Sequence, residues 1–188
     1  MKLFISADIE GCVGTTLASE THKERPEYQQ FAKRMTDEVR IVCQAALEAG
    51  ADEIVVKDGH GDATNIDFTA MPEGVTLIRG KSGHPYNMMF GLDETFDGVL
   101  YVGYHAPAGN GGNPISHTST GNSNQILLNG KVMSEFMLNT YTAAMMGVPA
   151  VFISGDEGIC GLAREMVPGI TTAAVKTVSY THLRAHET

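Results

Sequence analysis

Short, nearly unbroken apolar runs alternate with longer stretches of helical period, and this rhythm organises the chain. Residues 2–8 are almost wholly apolar until Asp8, which predicts a buried strand. Residues 53–57, 75–79, 99–104 and 150–154 have the same form, as expected of strands covered on both faces. Between the first two, Phe31, Met35, Val39, Val42, Cys43 and Ala46 recur at steps of three and four. They mark one apolar stripe on a helix that starts at Pro26 and ends at Gly50. Asn129-Gly130 between 125–128 and 131–133 is a hairpin turn signal. Ser134 is placed to cap a helix running to about Met146, and a short helix to Met166 follows GDEG. TTAAVK reads as a last strand. Strands alternating with helices predict an α/β fold, layered α/β/α around a mostly parallel or mixed sheet.

Polar residues interrupt these runs at informative places. The first run ends on Asp8 and Glu10, two apart, so an extended segment would aim both carboxylates the same way. Uncompensated charge at the end of a buried strand is costly, which calls for a positive partner. Two other strands end on His60 (EIVVKDGH) and His105 (GVLYVGYH), and Glu135 opens the helix after the hairpin. Ligands of α/β sheets bind at the carboxyl ends of strands, so a metal site is expected there. Three carboxylates and two imidazoles suit zinc or a similar divalent ion. One divalent ion would leave the cluster negative, whereas two ions with a bridging hydroxide would neutralise it, with Asp8 as the central bridge. The plainer alternative is that Asp8 and Glu10 cap loops while His60 and His105 bond backbone.

The other candidates divide the same way. His117 ends the glycine-rich segment APAGNGGNPIS. Beside a metal pair it can serve as base, nucleophile or oxyanion stabiliser; otherwise it is an exposed loop histidine. Asp58 either orients His60 or caps a turn. Asp156 and Glu157 either line the pocket or belong to a turn. His22 and His84 have only the surface reading. Cys12 lies near the acidic pair without an evident histidine partner. GNGG lacks the GK[ST] ending of a phosphate loop.

Totals narrow the field. The chain has 188 residues, 43% hydrophobic and 19% charged, enough for one buried domain. A net charge of −9 argues against nucleic acid or an anionic membrane as partner. No apolar run is long enough to span a bilayer. Three cysteines without framework spacing indicate reduced thiols and a cytoplasmic protein.

Taken together, SADIEG, KDGHG, VGYHA, ISHT and NGKVMSEFMLNTY, with GLDETFDG and TTAAVK, resemble the zinc-dependent D-aminopeptidases of the dipeptide-transport-operon type, in order and over nearly all of 1–177. The resemblance implies that Asp8, Glu10, His60, His105 and Glu135 bind two zinc ions per subunit and that His117 is the nucleophile. It also implies a homo-oligomer, a decameric ring with an interior chamber, that releases N-terminal D-amino acids from short peptides. Whether His117 or a metal-activated water attacks stays open. So do two other readings: a different metal-dependent amide hydrolase, and a metal- or peptide-binding protein without catalysis. The loop between His105 and His117 differs from the family pattern, which bears on substrate preference.

Residues 178–188, VSYTHLRAHET, break the rhythm of the preceding strand and resemble one translated frame of a transposon-end sequencing adaptor. They are expected to be an artefactual tail on a 1–177 metallopeptidase core whose C-terminal part is missing. His182 and His186 are discounted accordingly.

Overall fold

The computed structural model describes residues 1–177; the expected tail at 178–188, with His182 and His186, lies outside the described residues. In chain order the elements are β1 (Lys2–Ala7), α1 (Tyr28–Glu48), β2 (Glu53–Asp58), β3 (Val75–Ile78), β4 (Gly98–Tyr104), β5 (Leu127–Leu128), β6 (Lys131–Val132), α2 (Glu135–Met145), β7 (Ala150–Asp156), α3 (Glu157–Met166) and β8 (Thr171–Lys176). Six strands form one sheet in the order β3-β2-β1-β4-β7-β8, every neighbouring pair parallel. The strand order reverses between β1 and β4, the switch point where a doubly wound sheet opens a crevice at its carboxyl edge.

The pleat sends alternate residues of each strand to opposite faces. On one face Leu3, Ile5, Ile54, Val56, Leu100 and Val102 pack under Met35, Val39 and Cys43 of α1. On the other, Phe4, Val55, Val99, Tyr101 and Tyr104 pack against Phe136 and Ala143 of α2 and Ile159, Cys160 and Ala163 of α3. This is the expected three-layer α/β/α arrangement, with the β5–β6 hairpin outside the sheet.

Local rules account for the helix ends. Gly50 takes φ +93° just past α1, the left-handed turn that glycine adopts without steric cost. The α1 helix begins at Tyr28 rather than at Pro26, which sits in a preceding turn. The Ser134 hydroxyl accepts from the Met137 N–H at 3.0 Å and Asp156 from the Ile159 N–H at 2.8 Å, capping α2 and α3. One expectation fails: β3 is an edge strand with no fully buried residue, not a strand covered on both faces. Its apolar run carries the same signal as an interior strand, and only its position in the sheet distinguishes them.

The central strand β4 ends irregularly. Its register with β7 slips between Tyr101 and Tyr104, and Gly103 takes φ +71°. A Cβ there would lie 2.2 Å from the Asp8 carbonyl oxygen and 2.6 Å from the Cys12 sulfur. The bulge lets the chain after β1 press against β4: the Asp8 N–H donates to Val102 O and the Gly11 N–H to Gly103 O, each at 2.8 Å. Bulges beside sites re-aim the side chains that follow, here His105.

Gly103→Ala is therefore expected to destabilise the fold by about 3 kcal/mol, roughly 10 °C in melting temperature for a chain of this size. Gly161→Ala, in α3 with open space around its Cβ, should not lower it. Thermal unfolding of the two variants checks the contrast.

Candidate metal centre

Asp8 follows β1 directly, His105 follows β4, and His60 lies two residues beyond β2, so three adjacent parallel strands deliver three donors to one edge. Glu135 arrives as the first residue of α2. Glu10 departs from expectation in detail: β1 ends at Ala7 and Glu10 lies in a turn rather than on extended chain. The turn is closed by the Cys12 N–H donating to Ile9 O and by the Asp8 carboxylate accepting from the Ile9 N–H.

The donors meet. His60 Nδ1 lies 3.3 Å from Asp8 Oδ1 and 3.0 Å from Glu10 Oε2. His105 Nε2 lies 3.6 Å from Asp8 Oδ2 and 3.7 Å from Glu135 Oε1. Asp8 thus turns one oxygen to each histidine. His117 Nε2 stands 3.7 Å from Glu135 Oε1, and its ring stacks on that of His105 at 4.4 Å. Asp8, Glu10, His105 and Glu135 are buried. Two overlapping sets of ligand atoms, Asp8–Glu10–His105 and His105–His117–Glu135, are each close enough together to hold a metal ion.

The histidines are oriented by main chain. His60 Nε2 meets Thr21 O at 2.9 Å, His105 Nδ1 meets Ala106 O at 2.9 Å, and His117 Nδ1 meets Ile115 O at 3.0 Å. A carbonyl only accepts, so each ring must place an N–H there. The second nitrogen of each ring then turns inward toward carboxylates, lone pair toward anion unless a proton or a cation intervenes. His105 Nε2 and Glu10 Oε2 are buried with no hydrogen-bond partner among the described residues, and such orphaned atoms call for an occupant. The donor set fits a divalent cation.

Protons can fill the gap when no cation does. Burial disfavours the His60 imidazolium, but Glu10 and Asp8 outweigh it and raise its pKa to about 11. Burial is likewise outweighed at His105, chiefly by Glu135, giving about 10. Burial and then the charge of Glu10 raise Asp8 to about 8. Burial alone would raise Glu10 and Glu135, yet His60 holds the first well below the carboxylate range and His105 lowers the second.

Around the cluster stands a frame of buried polar groups. Asp58 does not touch His60. Its carboxylate accepts from the Asn65 and Ile66 backbone N–H groups and from the Asn65 amide, and Asn65 donates in turn to His60 O at 2.7 Å. Asp156 accepts from the Ala106 N–H and from Asn113, besides capping α3, and Glu157 is exposed. Asn113 and Lys176 both donate to Glu10 O, at 3.0 and 2.6 Å. The sequence reading passed over Asn113 and Lys176. The signal for Lys176 was a lysine closing an apolar strand; nothing local marked Asn113. Cys12 is buried and donates to Asp8 O, and burial pushes its thiol pKa well up. His84 packs on Tyr86 and Phe90 at the surface. His22, read only as a surface residue, lines the cavity beside the cluster.

That cavity, about 520 Å³, has Asp8, Glu10, His60, His117 and Glu135 in its wall. No helix among the described residues is long and apolar enough to cross a membrane.

Comparison with known proteins agrees with this architecture. The Peptidase M55 family, described as D-aminopeptidase, matches residues 1–185. A D-aminopeptidase of Bacillus subtilis (strain 168) is 33% identical over 176 residues, which make up 94% of this chain and 64% of that protein. The solved structure of the Zn-dependent D-aminopeptidase DppA from Bacillus subtilis, described as a self-compartmentalizing protease, superposes with a TM-score of 0.91 at 31% identity. The match covers 97% of this chain and 66% of that one. The chain therefore spans just under two thirds of the length of these relatives.

Since His60 and His105 hold protons far above neutrality and Asp8 holds one up to about 8, Zn²⁺ added to the metal-free protein at pH 7 is expected to displace about three protons per chain. Calorimetric titration in buffers of different ionisation enthalpy measures that number; a binding heat independent of buffer would contradict it.

Proposed function

This chain belongs to the Peptidase M55 family of D-aminopeptidases, and from that premise we propose that it is a zinc-dependent aminopeptidase releasing N-terminal D-residues from short peptides. The observation that carries the reading is the inward-facing set of imidazole nitrogens, each fixed by a backbone carbonyl and set against buried carboxylates. Asp8, Glu10, His60, His105 and Glu135 are the proposed ligands of two zinc ions. Asp8 would help to hold both, because its two oxygens face opposite histidines. Zinc held there would supply Lewis-acid polarisation of a scissile carbonyl and charge for the reacting oxygen.

The chain's own groups do the rest. The Nδ1–H of His117 is held by Ile115 O, so Nε2 presents its lone pair at the cavity wall beside Glu135. That atom is placed to take the proton of an attacking water or itself to attack the carbonyl. The Ile115 carbonyl, accepting from Nδ1, stabilises the imidazolium that proton transfer creates, which favours the base role. The Ser119 N–H donates to Glu135 Oε1 at 2.8 Å and fixes that carboxylate. The cavity of about 520 Å³ has room for a small substrate beside these groups.

The free, buried thiols of Cys12, Cys43 and Cys160 fit a reducing compartment and thus a cytoplasmic enzyme. The self-compartmentalizing description of the solved relative supports a homo-oligomer.

His117→Ala is expected to lower turnover of a D-aminoacyl amide by about 10³-fold while metal content stays near two zinc ions per chain; unchanged turnover removes His117 from the reaction. Asp8→Asn should instead lose metal, read by elemental analysis. A panel of D- and L-aminoacyl amides tests the substrate class: preference for L substrates points to another metal-dependent amide hydrolase, and bound zinc without any turnover points to a binding protein.

A further inference from the structure

One lysine in the cavity wall is not accounted for by the metal site. Lys81 lies three residues beyond the end of β3 and lines the same cavity as the carboxylate cluster. Most of the other lysines are engaged. Lys2, Lys23 and Lys33 pair with Glu53, Asp62 and Asp37, while Lys57 and Lys176 are buried on backbone carbonyls. Lys81 is exposed and makes no ion pair or hydrogen bond among the described residues. Its base is nonetheless fixed. The Gly80 N–H donates to Ala63 O at 2.6 Å, Gly80 O accepts from Lys57 Nζ at 2.9 Å, and Gly80 takes φ +83°. A buried lysine thus anchors the backbone next to a free lysine in the cavity wall.

The charge layout along the sheet edge is asymmetric. The carboxylates and inward-facing histidines gather where β1, β2 and β4 end, and Lys81 follows the end of β3. We propose that Lys81 reads the C-terminal carboxylate of a short peptide whose free amino end lies at the cluster. The cavity then measures its substrate from one terminus to the other. This rests on the aminopeptidase reading above and adds a specificity residue to it. The dimensions agree. β3 is two strands from β1, about 10 Å at ordinary interstrand spacing. An extended dipeptide spans about 7 Å, and the lysine side chain closes the difference.

The test compares D-alanylglycine with its C-terminal amide, which removes the charge and keeps the scissile bond. The zinc-loaded protein is expected to favour the free acid about tenfold in kcat/KM, mostly through KM, as a charge-assisted hydrogen bond provides. Lys81→Ala should abolish that preference by weakening the acid alone, with the amide kinetics and melting temperature unchanged. Lys81→Arg should retain the preference and Lys81→Glu should reverse it. Equal use of acid and amide by the unaltered protein, or a loss on both substrates alike in Lys81→Ala, overturns the carboxylate role and leaves the aminopeptidase reading standing. Hydrolysis of neither compound overturns both.

Discussion

Three backbone carbonyls set the character of the site. Thr21 O, Ala106 O and Ile115 O each claim one N–H of a histidine ring, and each ring must then aim its remaining nitrogen at buried carboxylates. At His60 and His105, neutral imidazoles and ionised acids cannot rest at 3.0–3.7 Å in this orientation without positive charge between them. Protons meet the need in part, which is why His60 and His105 hold theirs so far above neutrality. Cations meet it better, since one divalent ion can satisfy several donors at once.

The fold concentrates this conflict at one place. A parallel sheet brings the ends of β1, β2 and β4 side by side, and the reversal of strand order between β1 and β4 opens the crevice beneath them. The bulge at Gly103 lets the Asp8–Gly11 turn lie against β4. Lys176 from the far edge strand and Asn113 from the glycine-rich loop then grip Glu10 O. The Asp156–Asn113 contact ties that loop to the start of α3. The turn that carries Glu10 is thereby held by the edge strand β8 and by the loop that follows β4, and a rigid frame of this kind keeps donors in place.

Much of this was legible in the residues. Apolar runs located the main strands, and polar residues at their carboxyl ends pointed to the edge where the donors gather. The Ser134 cap placed Glu135 at the start of a helix. What escaped depends on packing. The edge position of β3 cannot be read from its composition, because Val75–Ile78 is as apolar as an interior strand. Glu10 sits in a turn closed by bonds at Ile9 and held against β4 by the Gly11 N–H bond to Gly103 O, which the apolar run before it does not encode. Asp58 acts on the His60 backbone through Asn65 rather than on the ring, a choice set by the folding of the loop between β2 and β3. The carbonyls that orient the rings belong to unremarkable residues, and only the folded chain identifies them.

The central claim is that cations occupy the space onto which these nitrogens and carboxylates face. Anomalous diffraction from crystals of the zinc-loaded protein, recorded on both sides of the zinc absorption edge, tests it most directly. The account predicts two peaks flanking the Asp8 carboxylate, one beside His60 and Glu10 and the other beside His105 and Glu135. A map with no peak at Asp8, or with zinc bound only elsewhere on the molecule, would contradict it.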